Sequence, residues 1–113
     1  MHEMSIVLGI VRIAEDEVKK AKAKKVEVIE LIIGNLSGVE KDALDFAWPV
    51  AVKETVLEGA KRKVQYIEGE AKCAECETIF NLRSLYEACP KCNSYFRDIL
   101  KGKELKVLAL EVV

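Results

Sequence analysis

Cys73-Ala74-Glu75-Cys76 and Cys89-Pro90-Lys91-Cys92 hold all four cysteines of the chain, as two CxxC pairs with twelve residues between them. Each pair can aim two thiolates at one point from a tight turn. Two such knuckles complete a tetrahedral four-thiolate site, and a loop of this length suits a structural zinc ribbon. The same spacing leaves three competing readings: a redox CxxC, two disulfides, or a rubredoxin-like iron site, although the last usually has a longer intervening segment. On the zinc reading, Cys73, Cys76, Cys89 and Cys92 are the ligands.

The segment around the cysteines has too few apolar side chains to bury a core of its own. Metal binding supplies about 10–16 kcal/mol in small zinc peptides, enough to fold such a segment. On its N-terminal side Lys63-Val64-Gln65-Tyr66-Ile67-Glu68 alternates as a strand. On the other side Lys101-Gly102-Lys103 turns the chain into a strand over Glu104–Val113. Val26–Ile33 is rich in β-branched residues and bounded by Gly34-Asn35, which reads as a third strand with apolar residues on both faces.

Two helices complete the pattern. Met4, Val7, Leu8, Val11, Ala14 and Val18 recur at helical spacing, and Lys19, Lys20, Lys22, Lys24 and Lys25 gather where cations offset the helix dipole. Ser37-Gly38-Val39-Glu40 fits a capping box, with Ser37 as N-cap and Glu40 at N3. The helix it opens carries Leu44, Phe46, Ala47, Trp48, Val50 and Ala51, with both aromatic residues expected in the core. Pro49 lacks the N–H that would bond the Asp45 carbonyl, so a kink or break is expected there. The expected architecture is α/β: a two-layer domain of two helices on a three-stranded sheet. A four-cysteine, zinc-ribbon-like domain is inserted between the second and third strands. Residues 1–70 and 103–113 form the first domain in this reading, and residues 71–102 the second.

Of the 113 residues, 50% are hydrophobic, which is enough for a buried core. Eighteen basic and nineteen acidic side chains leave a net charge near −1, which argues against a nucleic-acid binder. The first apolar run is short and follows Glu3 rather than lysines, so neither a secretory signal nor a membrane span is expected. Cysteines in metal spacing, with none left over, point to a reducing cytoplasm.

His2 is the only histidine. In a chain that starts Met-His, the Met1 α-amine, the His2 backbone nitrogen and its imidazole can close adjacent chelate rings. Such a nitrogen set favours tetragonal coordination, the geometry of Ni(II) or Cu(II). A further backbone nitrogen or the Glu3 carboxylate can occupy the fourth position. A solvated, frayed terminus is the bland reading of the same residues.

Taken together, Met1-His2-Glu3, the Ile33–Glu40 segment, Glu58-Gly59 and the two spaced CxxC pairs resemble the HypA/HybF family of nickel-insertion metallochaperones. The resemblance runs through essentially the whole chain in the same order. It implies nickel binding at Met1, His2 and Glu3, and zinc at Cys73, Cys76, Cys89 and Cys92. It also implies delivery of nickel to a [NiFe]-hydrogenase large subunit with a HypB-type GTPase, and in some members service to urease. Glu77 and Asn93 stand where many members have glycine, and Pro49 where a helix former is more usual.

No Ser/His/Asp or Cys/His set can be assembled, and no GxxxxGK[ST] loop is present, so the chain reads as a carrier and not an enzyme. Two other classes compete. One is a zinc-ribbon protein- or nucleic-acid-interaction module using Lys61-Arg62-Lys63 and Tyr66, although Glu68 and Glu70 lie close by. The other is a thiol-redox or electron-transfer protein. The topology also admits exchange of the C-terminal strand or inserted domain between two copies, hence a homodimer.

Overall fold

The computed structural model describes residues 3–113; Met1 and His2 lie outside the described residues. The order is helix α1 (Glu3–Lys20), strand β1 (Val26–Gly34), helix α2 (Lys41–Ala51) and strand β2 (Lys61–Ile67). Three short strands follow, β3 (Glu70–Cys73), β4 (Ile79–Asn81) and β5 (Arg97–Lys101), and then β6 (Leu105–Val112). The sheet β2-β1-β6 has its third strand contributed after the cysteine-bearing segment, as the alternation around that segment implies. Among the described residues, no helix is long and apolar enough to cross a membrane.

Backbone hydrogen bonds fix the strand directions. Val26 N–H donates to the Val56 carbonyl and Asn35 N–H to that of Ile67, so β1 and β2 run parallel. Val113 N–H donates to the Lys25 carbonyl and Gly34 N–H to that of Glu104, so β6 is antiparallel to β1. Parallel neighbours need a crossover, and α2 supplies it. The chain clusters into two compact units. The first takes residues up to Leu31, Val39–Val64 and Val107–Val113; the second takes Ile32–Gly38 and Gln65–Lys106.

The core of the first unit follows from helical periodicity. Val7, Ile10, Val11, Ala14 and Val18 of α1 are buried, as are Leu44, Ala47, Trp48 and Ala51 of α2 and Val26, Ile29 and Leu31 of β1. Met4 and Leu8 fall on the margin of the α1 stripe and are exposed. Of the aromatic pair expected in the core, only Trp48 is there; Phe46 is 82% exposed. The Arg62 guanidinium lies 5.0 Å from the Trp48 ring centroid and 2.5 Å from the Asp45 carboxylate. Hydrogen bonding from Lys41, then Arg62, holds the Asp45 carboxyl below its ordinary range.

Of the local expectations for α2, the capping box fails and the break at Pro49 does not occur. The capping box is not formed: Ser37 sits in a turn, its N–H donating to the Gly34 carbonyl. The helix starts only at Lys41, with Glu40 as an extended N-cap whose own side chain makes no cap hydrogen bond. The Glu3 carboxylate, 37 residues away in sequence, accepts from the Glu40 N–H at 3.2 Å. A remote acid therefore replaces the local box, and this contact sets the N-termini of α1 and α2 side by side. Pro49 does not break the helix either. The ladder resumes with Val52 N–H donating to the Trp48 carbonyl, and α2 ends at Ala51.

In the second unit β3 is the centre of a sheet ordered β4-β3-β5, antiparallel on both sides. Its core comprises Leu36, Ala71, Cys73, Phe80, Leu82 and Cys89. Leu36 comes from the β1–α2 connection, held by its N–H bond to the Gly102 carbonyl. The backbones meet closely there. A Cβ at Gly34 would lie 2.0 Å from the Gly102 carbonyl oxygen, so no side chain fits at Gly34.

Candidate metal centre

The four cysteines converge, each offering its sulfur within 4.8 Å of the other three. Cys73 Sγ lies 3.5 Å from Cys92 Sγ, and Cys76 Sγ lies 3.6 Å from Cys89 Sγ. A tetrahedron with Zn–S near 2.3 Å has S···S edges of roughly 3.8 Å, so the donor set fits zinc. These separations are far above the S–S bond of about 2.05 Å, and all four cysteines are free thiols.

Two turns of the same construction produce this convergence. In the first, Cys73 N–H donates to the Thr78 carbonyl and Glu77 N–H to that of Cys73. In the second, Cys89 N–H donates to the Ser94 carbonyl and Asn93 N–H to that of Cys89. Both turns need a left-handed residue at the fifth position, which Glu77 (φ 60°) and Asn93 (φ 62°) occupy. A glycine at either position would take that conformation without a Cβ clash. Cys73 and Cys89, the first cysteine of each turn, are buried, whereas Cys76 is half-buried and Cys92 exposed.

The thiols are not equivalent. The Thr78 hydroxyl, 3.2 Å from Cys76 Sγ, and the Thr78 backbone pull the Cys76 thiol down to about 6. For Cys92 the Ser94 backbone favours the thiolate, but hydrogen bonding with Cys73 together with desolvation outweighs it, pushing the thiol up to about 12. Without metal the sulfurs share protons unevenly; a divalent ion replaces those protons. The Cys76 N–H, 3.5 Å from Cys73 Sγ, already points at a developing thiolate.

Among the described residues these four cysteines are the one cluster of His, Cys, Asp and Glu side chains able to hold a metal ion. The expected nickel donors Met1 and His2 lie outside the described residues. Glu3 is buried at 5% exposure, its carboxylate on the Glu40 N–H, and that bond lowers its carboxyl below the ordinary value. Spacing located the cysteines. It could not locate Thr78 as a partner of Cys76, Leu36 in the apolar cluster of the second unit, or the Glu3–Glu40 contact. The only sequence signal for Leu36 is an isolated apolar residue between Gly34-Asn35 and Ser37-Gly38.

An α/β domain interrupted by a four-thiol module, with an acid of the first helix turn capping the second helix, defines a metal-binding protein. The family model described as hydrogenase/urease nickel incorporation, metallochaperone, hypA matches residues 1–112. The chain belongs to the HypA family, whose members are metallochaperones and not enzymes. It is 47% identical over 112 residues to a hydrogenase maturation factor HypA of Parabacteroides distasonis, covering 99% of this chain and 97% of that protein. It is 44% identical over 107 residues to a hydrogenase maturation factor HypA of Francisella philomiragia, covering 95% of each. The solution structure of the Ni metallochaperone HypA from Helicobacter pylori superimposes with a TM-score of 0.69 at 30% identity. That match covers 100% of this chain and 98% of the other.

Proposed function

We propose that this nickel metallochaperone of hydrogenase maturation carries Ni(II) on the Met1 amine, the backbone and imidazole of His2, and Glu3. Zinc held by Cys73, Cys76, Cys89 and Cys92 serves as a structural ion. The observation that carries this reading is the division of donors. The four sulfurs stand at tetrahedral separations and are enclosed by two closed turns, a site built to retain an ion. The only histidine in the sequence is His2, far from the cysteines along the chain. A nitrogen-rich terminal chelate gives up its donors one at a time, which suits a cargo that must be surrendered.

The recipient in this reading is a [NiFe]-hydrogenase large subunit, and a HypB-type GTPase supplies the nucleotide chemistry that this chain lacks, in the cytoplasm. The balanced charge, net −1, supports a protein recipient over a nucleic acid.

Calorimetric nickel titration of untagged protein tests the site, after mass spectrometry has established that Met1 is retained. His2→Ala weakens nickel binding by more than the 10–100-fold or so that loss of an outer partner typically costs. A residue added before Met1 displaces the amine and weakens it comparably. Equal affinity in all three proteins would sink the terminal chelate.

A further inference from the structure

Two sulfur contacts in the metal centre run between the CxxC turns. Cys73 Sγ lies 3.5 Å from Cys92 Sγ, and Cys76 Sγ lies 3.6 Å from Cys89 Sγ. Each contact joins the first cysteine of one turn to the second cysteine of the other. Within the first turn, by contrast, Cys73 Sγ faces a backbone donor, the Cys76 N–H at 3.5 Å. Closing either cross-turn pair to a bond of about 2.05 Å needs a shift of about 1.5 Å.

Access to the four sulfurs is graded. Cys92 is exposed and Cys76 half-buried, whereas their cross-turn neighbours Cys73 and Cys89 are buried. Each pair therefore sets a sulfur that a small oxidant can reach against a shielded one that can resolve it, the arrangement of a redox-responsive thiol pair. Thiolates that hold a metal remain nucleophiles. A four-thiolate zinc site with one exposed sulfur is open to oxidation from that corner. The ion and a pair of cross-turn disulfides also do one mechanical job, since each ties the second turn to the first. Disulfides inside each turn would leave the turns untied.

We propose that the cysteine site is a peroxide-responsive zinc switch, whose oxidised form is held by Cys73–Cys92 and Cys76–Cys89 disulfides in place of the ion. The switch rests on the reading of these four cysteines as a zinc site. The Cys92 thiolate attacks a peroxide oxygen, the O–O bond breaks, and Cys92 becomes a sulfenic acid as hydroxide leaves. The Cys73 thiolate then attacks the Cys92 sulfur, forming the S–S bond and expelling a second hydroxide. Each sulfur has lost one electron and the peroxide has gained two. With two of its four ligands gone the ion leaves. A second peroxide oxidises Cys76 and Cys89 in the same way. Thiol reductants reverse both bonds by exchange, and zinc rebinds.

Hydrogen peroxide added to the untagged, zinc-loaded full chain tests this. Zinc content is measured first, release is followed by a chromogenic chelator, and disulfides are mapped by mass spectrometry without reduction. Trypsin cuts after Lys72, Arg83 and Lys91 and a glutamate-specific protease after Glu75, so each pairing yields its own linked peptides. The expected product is zinc-free, linked Cys73–Cys92 and Cys76–Cys89, and as resistant to proteolysis as the zinc form; dithiothreitol with zinc restores the starting state. Reduced protein stripped by a chelator is instead cut across residues 71–102. Cys92→His keeps a zinc donor but removes the reachable sulfur, and it loses the fast phase of release. Disulfides within the turns, release without disulfides, or zinc retained under excess peroxide overturns the switch. Release from Cys92→His as fast as from the unaltered chain overturns Cys92 as its point of entry. A chain that holds no zinc before peroxide is added overturns the zinc reading itself, and the switch with it.

Discussion

The two CxxC turns share one backbone design yet hold their sulfurs differently. Each is closed by the same pair of backbone hydrogen bonds, and each passes through a left-handed residue at the fifth position. In the first turn Cys76 is half-buried beside the Thr78 hydroxyl, and its thiol is pulled down to about 6. In the second turn Cys92 is exposed; the Ser94 backbone favours its thiolate, but hydrogen bonding with Cys73 and desolvation outweigh it and push the thiol up to about 12. The backbone therefore sets where the sulfurs meet, while the Thr78 hydroxyl favours the thiolate of Cys76 and hydrogen bonding with Cys73 holds the proton on Cys92. Of the four sulfurs, Cys76 is the one already prepared for metal and Cys92 the one that metal must deprotonate.

The largest test of this comparison removes one buried sulfur. Cys89→Ser is expected to abolish stoichiometric zinc and to unfold the second unit, because metal binding contributes on the order of 10 kcal/mol to such modules. Zinc content by atomic absorption and proteolysis of residues 70–102 read the outcome. One zinc per chain with unchanged proteolysis would refute the structural role.

A smaller effect concerns acid. Cys76 is depressed, so its thiolate persists above about pH 6 and is lost as pH falls through that value. Zinc retention should therefore hold at neutral pH and decline on the acid side only, with no loss on moderate alkalinisation. Thr78→Val removes the leading cause of the depression and should move the release midpoint to higher pH. A chromogenic chelator monitors the release; an unmoved midpoint in Thr78→Val would mean that the hydroxyl does not prepare the site.

The smallest effect separates the two left-handed positions. Asparagine tolerates that conformation better than glutamate, whereas glycine adopts it freely. Glu77→Gly should raise the stability of the zinc-bound protein by about 1 kcal/mol, and Asn93→Gly by less. Thermal melts of both variants measure the difference, and equal gains would remove the distinction between the turns.

How far the fold could be read from sequence follows the range of each interaction. The cysteine pairs, the apolar stripe through Val7, Val11, Ala14 and Val18, and the strand Val26–Ile33 were legible because their signals repeat within a few residues. The capping box at Ser37 had the right residues and failed because Glu3, remote in sequence, takes the Glu40 N–H instead. Phe46 was read as core from its hydrophobicity. Its position two residues before Trp48 places it well around the helix from the buried side, a distinction that composition cannot make. The proposed nickel donors Met1, His2 and Glu3 were legible only as a motif, and the first two lie outside the described residues.

Leu36 bears on how separable the cysteine module is. The apolar cluster of the second unit is completed by this leucine, which the chain supplies thirty-seven residues before the first cysteine. A graft of residues 71–102 into a foreign scaffold would carry every metal ligand and yet leave a leucine-sized void beside Gly102, in the apolar cluster that Leu36 completes. Transplanting the module requires Leu36 as well, or a larger residue recruited to fill its place. The boundary of the portable piece is drawn by packing, and it is not a single interval of sequence.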